Sequence, residues 1–175
     1  MAAVELHGPR VVIRPLLADD RDAMATILAE PGVAWWWVHS SIEETIAELY
    51  DESDEEVHFA ITVGGSVAGM IQFGEELTPD YRHASIDLFL GEAFQGRGLG
   101  PEAIRLVVRH LIDARGHHRL IIDPAVANAR AIRAYESVGF RRVGVMRRYE
   151  RGIDGTWHDG LLMDLLADEL IDAGA

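Results

Sequence analysis

The chain has 175 residues, 49% of them hydrophobic, and a formal net charge of −13 at pH 7; this is enough for one well-buried core and too little for two typical domains, so residues 1–175 are expected to form a single soluble domain. With no cysteine there is no disulfide framework, no thiolate metal site and no acyl-cysteine intermediate, and because every one of the 16 Lys/Arg positions is arginine, lysine Schiff bases and lysine-dependent phosphate loops are excluded as well. The acidic balance disfavours a nucleic-acid partner and suits a cationic one, with an acidity that only aids solubility as the alternative.

No apolar stretch reaches the length of a membrane span, and Met1–Glu5 lacks the basic start and apolar run of a signal peptide. A cytoplasmic location without a membrane partner is the expectation.

Val11–Pro15 reads as a first strand. Asp19 and Asp20 then cap a helix to about Ala29, with Ala23, Met24, Ile27 and Leu28 inward and Pro31-Gly32 as its stop. Ser40-Ser41 with Glu43-Glu44 opens a second helix whose Ile42, Ile46 and Leu49 keep helical spacing. Its other face begins an acidic run from Glu43 to Glu56, either a lip that draws in a polycation or simply a solvated face. Val57–Val63 and Val67–Phe73 alternate as strands about a Gly64-Gly65 hairpin turn, and Ala84–Leu90 is a further strand.

Residues 101–114 form an amphipathic helix stopped at Gly116, Arg119–Asp123 a short buried strand ended by Pro124, and Asn128 starts a helix closed by Gly139. Two last strands, Arg141–Glu150 and Trp157–Leu165, turn at Asp154-Gly155. The order β α α β β β α β α β β argues a mixed α/β fold, with a mostly antiparallel sheet and one parallel βαβ unit.

The segment that carries chemistry is Gln95-Gly96-Arg97-Gly98-Leu99-Gly100, placed between an apolar strand and the helix that opens at Pro101. Glycines let main-chain N–H groups approach an anion, and the helix adds unpaired first-turn donors and its positive dipole end. A Rossmann reading fails, because the preceding elements are antiparallel hairpins and the G-x-G-x-x-G spacing is absent.

Ile86–Leu90, the Q-x-x-G-x-G turn and the box N-x-x-A-x-x-x-Y-x-x-x-G-F from Asn128 to Phe140 together resemble the Gcn5-related N-acetyltransferases (GNAT), over nearly the whole chain. The resemblance implies a single mixed, mostly antiparallel, splayed sheet flanked by helices, with acetyl-CoA as cosubstrate. In that frame Gln95, Gly96, Gly98 and Gly100 would hold the pyrophosphate. Arg97 would add charge there or stay solvated. The backbone of Leu88, Phe89 and Leu90 would pair with the pantetheine, and Asn128, Ala131 and Tyr135 would complete the donor site. Pro101, placed at the first helical position, removes one phosphate donor. Tyr135 matches the tyrosine that faces the CoA sulfur and is expected to act as general acid, the alternative being an aromatic packed in the core.

A narrower resemblance is to the aminoglycoside 6′-N-acetyltransferases, through Trp35-Trp36-Trp37, Ile86-Asp87 and Ile122-Asp123-Pro124. It implies Asp87 as the carboxylate that orients the amine or accepts its proton, Asp123 as an amine-binding carboxylate, and Trp36 and Trp37 as contacts for sugar rings and cations. Alternatives pair Asp87 with Arg82 or Arg14, make Asp123 a cap of the Pro124 turn, and bury Trp35 as a plug between helices. Gln72 is a further candidate for hydroxyl or amine binding.

The eight histidines show no H-x-x-x-H or H-E-x-x-H spacing, so no metal site is expected. His158 is a minor candidate base. The last hairpin departs from the aminoglycoside enzymes: it is longer, carries Arg147, Arg148, Tyr149 and Arg151, and resembles the tail of N-terminal acetyltransferases of the ribosomal-protein type. Protein N-termini and polyamines are therefore the alternative acceptors, and a non-catalytic acetyl-CoA-binding module the third reading. A monomer or a homodimer fits the chain equally.

Overall fold

The computed structural model describes residues 4–51 and 56–172. Among the described residues, eight strands form one sheet in the order β1-β2-β3-β4-β5-β6-β8-β7. They are β1 (Leu6–His7), β2 (Val11–Pro15), β3 (Val57–Val63), β4 (Ser66–Glu76), β5 (His83–Leu90), β6 (Arg119–Ile122), β7 (Arg141–Arg151) and β8 (Trp157–Leu166). The helices are α1 (Arg21–Leu28), α2 (Pro31–Trp37), α3 (Ile42–Leu49), α4 (Leu99–Arg109) and α5 (Ala129–Glu136). All neighbouring strands are antiparallel except β5 and β6, which α4 connects. The mixed α/β, mostly antiparallel sheet flanked by helices is therefore as the sequence predicts.

Strand alternation sends residues to two cores. Ile61, Ile71 and Ile86 pack with Ala103, Ile104, Val107 and Val108 of α4 and with Ile132 and Tyr135 of α5. Ala60, Met70 and Phe89 face the other way, onto Met24, Leu28, Val33 and Ile46 of α1 to α3. At Gly69 of β4 the β5 backbone leaves no room for a side chain: a Cβ there would lie 2.0 Å from the Phe89 carbonyl oxygen.

Several local expectations change. Asp20 sits at the start of α1 without capping it; its carboxylate accepts from Arg14 Nη1 and Nη2 at 2.7 and 2.8 Å and from the Leu17 N–H. Pro31-Gly32 does not only stop α1 but opens α2, because proline's fixed φ and missing N–H suit a first helical position. The tryptophan run is thus helical, and Trp35 is 48% exposed rather than a plug. Helix α4 begins at Leu99, two residues before Pro101, and ends in a π-helical turn over His110–Ala114. Ser41 does cap α3, accepting the Glu44 N–H at 3.1 Å. Glu43, Glu44, Glu48 and Asp51 are exposed, while residues 52–55 of the acidic run lie outside the described residues.

Candidate active site

The ladder between β5 and β6 consists of Ala84 with Leu120 and Ser85 with Ile121. Beyond those pairs the strands part, and a cleft of about 530 Å³ opens with Asp87, Leu88, Phe89 and Leu90 on one wall and Asp123, Pro124 and Ala125 on the other. The Gly91 N–H donates to the Ala68 carbonyl. By alternation the peptide groups of Phe89 also face β4, whereas those of Leu88 and Leu90 face the parting. Side chains hold this open edge: Trp37 Nε1 donates to the Leu88 carbonyl at 3.2 Å, Gln95 Nε2 to the Leu90 carbonyl at 2.6 Å, and the Leu88 N–H to Asp87 Oδ1 at 2.9 Å. Each carbonyl keeps a second lone pair, so an amide-bearing ligand can still pair as an added strand.

Below this edge the glycine turn closes the cleft. Gly96 (φ 70°) and Gly98 (φ 76°) adopt left-handed backbone, which bends the chain within four residues, and Gly98 is the N-cap of α4. Gly96, Gly98, Gly100 and Pro101 all line the cleft. Pro101 is the third helical residue, among the first-turn positions whose N–H groups have no intrahelical partner, so its missing donor breaks no helical bond. On the far side the Asn128 side chain accepts the Ala131 N–H at 3.1 Å and starts α5. Asn128, Ala131 and Tyr135 border the same cleft.

One end of the cleft is acidic and aromatic. Burial, then the Asp123 charge, push the Asp87 carboxyl up to about 8; the Leu88 N–H opposes this, and Glu150 and Glu56 add to it. Neither arginine considered for Asp87 reaches it: Arg14 pairs with Asp20, and Arg82 Nη2 donates to the Arg115 carbonyl at 2.7 Å. The Tyr135 hydroxyl is held far above the usual phenol range by burial and by Asp87 and Asp123. It therefore stays protonated, the form a hydrogen-bond donor to a leaving thiolate requires.

Among the lining residues not predicted as site residues are the titratable Tyr149 and Glu150. Between Met146 and Glu150, β7 carries three residues against the single Asp159 of β8, and this bulge, with Arg148 at φ 50°, turns the segment back over the cleft. The Tyr149 hydroxyl is pushed up to about 12, first by its hydrogen bond to the Asp123 carboxylate and then by burial. Glu150 is raised by burial, against the opposing effect of His39, whose Nε2 lies 3.1 Å from its carboxylate. The only sequence signal for the pair was a run of charge in a long hairpin.

Trp36 and Trp37 line the cleft; Gln72 and Arg97 are not among its lining residues. Gln72 stands opposite Asp87 in the β4–β5 ladder and opposite His58 across β3, and its Nε2 donates to Glu56. Arg97 Nη1 donates to the Ala93 carbonyl at 3.3 Å. A second cavity of about 450 Å³ shares Trp36, Ala125 and Glu150 with the cleft and adds Trp35, Trp157, Asp154, Asp159 and His158. His158 sits 3.0 Å from Asp154 and edge-on to Trp35.

Comparison with known proteins fits this geometry. Residues 10–141 match the acetyltransferase (GNAT) domain family. The probable N-acetyltransferase YjcK of Bacillus subtilis is 30% identical over 117 residues, 66% of this chain and 64% of that protein. A spermidine N(1)-acetyltransferase of Escherichia coli is 24% identical (87% of this chain, 84% of that one), and an aminoglycoside N(6′)-acetyltransferase type 1 of Klebsiella pneumoniae 26% (78% and 76%). Mycobacterium smegmatis RimJ, solved with CoA-disulfide, shares the fold at a TM-score of 0.81 and 23% identity, covering 98% of this chain and 90% of that one. The cleft between parted strands, the glycine turn and the family match lead to one conclusion: this chain belongs to the GNAT acetyltransferases.

Proposed function

We propose that the chain transfers the acetyl group of acetyl-CoA to a primary amine, the 6′-amine of an aminoglycoside-like polycationic small molecule, by direct transfer in a ternary complex. The observation that carries this reading is the group of Asp87, Asp123 and Glu150 around the end of the cleft, beside Trp36 and Trp37. Carboxylates with tryptophan faces attract and orient ammonium groups and sugar rings. The adjoining acidic, tryptophan-walled cavity offers room for a substrate that extends beyond its reacting amine.

In this reading the donor's phosphates lie against Gly96, Gly98 and Gly100, and its amides pair with Leu88 and Leu90. Asp87, as carboxylate, takes one proton from the bound ammonium. The freed amine nitrogen attacks the thioester carbon, a C–N bond forms, and the C–S bond breaks. The proton lost from nitrogen after attack balances the one taken up by the CoA thiolate, which Tyr135 stabilises by hydrogen bonding as its charge develops. An approaching cation also lowers the Asp87 pKa, so the substrate itself favours the ionised form.

A polyamine or a protein N-terminus is the second reading. The long β7–β8 hairpin with Arg147, Arg148 and Arg151 favours the protein N-terminus, and a spermidine enzyme among the relatives favours the polyamine. The test is thiol release from acetyl-CoA with aminoglycosides, polyamines and N-terminal peptides as acceptors, with the acetylated position mapped by mass spectrometry. Fast turnover of the aminoglycosides is expected; turnover of peptides or polyamines alone transfers the assignment to the second reading. Coenzyme binding without release from any amine leaves a binding module.

A further inference from the structure

Arg10, in the turn between β1 and β2, is 87 residues from the glycine turn in sequence and in contact with it in space. Its Nη1 donates to the Arg97 carbonyl at 2.8 Å and its Nη2 to the Gly98 carbonyl at 3.3 Å. Its Nε donates to Glu102 Oε2 at 2.7 Å, while Glu102 Oε1 accepts the backbone N–H groups of Arg10 at 2.7 Å and Val11 at 3.1 Å. Glu102 lies in the first turn of α4, its side chain only 12% exposed; burial raises its pKa, but the Arg10 N–H, the guanidinium and the Val11 N–H outweigh this and hold it below the usual carboxylate range. Glu102 is therefore ionised at neutral pH, with both carboxylate oxygens accepting hydrogen bonds.

We infer that Arg10 and Glu102 are positioning residues for the phosphate-binding turn, setting the direction in which its N–H groups point. The physical reason is the trans peptide, in which a carbonyl and the N–H of the following residue point opposite ways. With the Arg97 and Gly98 carbonyls drawn toward Arg10, the N–H groups of Gly98 and Leu99 are directed away from it, to the side on which Gly98 and Gly100 border the cleft. Arg10 thus holds the Arg97–Gly98 peptide plane and reinforces the Gly98–Leu99 plane, whose carbonyl also accepts the Glu102 N–H at 3.3 Å as the first bond of α4, in a segment whose glycines favour no single conformation. Glu102 in turn fixes the guanidinium and ties it to β2, one of the sheet's paired strands. A lysine in place of Arg10 is a single point of charge and lacks the fork that spans two carbonyls and a carboxylate.

The inference rests on the reading that this turn takes the pyrophosphate of acetyl-CoA, and the experiment separates the two. CoA binding by calorimetry and steady-state kinetics with acetyl-CoA and with S-acetylpantetheine, which lacks the phosphates, are measured for the wild type, Arg10→Ala, Arg10→Lys and Glu102→Gln. The expectation is a rise of about tenfold or more in Kd for CoA and KM for acetyl-CoA in Arg10→Ala, as for a lost charged hydrogen-bond set, a comparable rise in Arg10→Lys and a smaller one in Glu102→Gln. The KM of the acceptor and kcat/KM with S-acetylpantetheine stay within about twofold in all three. Should Arg10→Ala not fold, the lysine and glutamine variants decide on the same readouts. Wild-type affinity for CoA in the folded variants, or an equal loss with both donors, overturns the inference. A wild type that binds S-acetylpantetheine and CoA equally well overturns the pyrophosphate reading itself, and the inference with it.

Discussion

Asp87 carries the sharpest predictions at the scale of a residue. Its carboxyl is pushed up to about 8 by burial and by Asp123. The free enzyme therefore holds it protonated at neutral pH, and kcat/KM for the acceptor should rise with pH through about 8. Asp87→Asn should lower kcat by about a hundredfold or more and remove that rising limb, as loss of a proton acceptor does. The same shift has a stability consequence. A raised folded pKa means the native state holds a proton the unfolded chain releases, so stability falls as pH rises from the unfolded carboxyl pKa toward 8. Thermal unfolding should then show Asp87→Asn gaining on the wild type at pH 8.5 and not at pH 4. Asp20 behaves oppositely, its carboxylate lowered chiefly by the hydrogen bonds of Arg14. That contribution is present above the ordinary carboxyl pKa and lost as pH falls through the lowered one. Asp20→Ala should cost about 3 kcal/mol at pH 7 in urea denaturation, the scale for removing one partner of a buried pair. Of these residues, Asp87 and Tyr135 were legible in the sequence because each sits at a fixed offset in a local motif. Tyr149 and Glu150 were not, since their place depends on a bulge whose register only the paired β8 reveals. The Arg10–Glu102 contact was invisible for a related reason: 92 residues separate its partners.

At the scale of elements, the cleft depends on how closely β4 and β5 approach and where β5 and β6 part. Gly69→Ala would drive a methyl onto the Phe89 carbonyl oxygen, 2.0 Å from an ideal Cβ. The strand must move, and overpacking of this kind costs about 1–3 kcal/mol. Denaturant unfolding should report the loss, with a higher KM for acetyl-CoA because Leu88 and Leu90 shift as well. The strands β2 to β8 and the helices at Asn128 and after the glycine turn were readable from alternation, caps and helical spacing. Helix α2 was missed because Pro31-Gly32 carries the signal for a stop and, at a first helical position, equally the signal for a start. The two-residue strand β1 is too short for any periodicity to declare it.

For the whole molecule, charge is the property that acts at a distance. A net charge of −13 attracts a polycationic acceptor and repels the anionic donor. Raising ionic strength should therefore lower kcat/KM for a polycationic aminoglycoside, while that for acetyl-CoA holds or rises; a neutral-bodied monoamine should show little change. The charge was plain in the sequence, yet its concentration at one end of the cleft, where β5, β6 and the β7–β8 hairpin bring Asp87, Asp123 and Glu150 together, emerges only with the fold. That concentration supports the proposal of a cationic amine acceptor. The most direct measurement compares thiol release from acetyl-CoA with two aminoglycosides alike except that one bears a 6′-amine and the other a 6′-hydroxyl. The expected result is turnover of the amine, with one acetyl gained at the 6′ position, and competitive inhibition without turnover by the hydroxyl compound. Equal turnover of both, or release with neither, would contradict it.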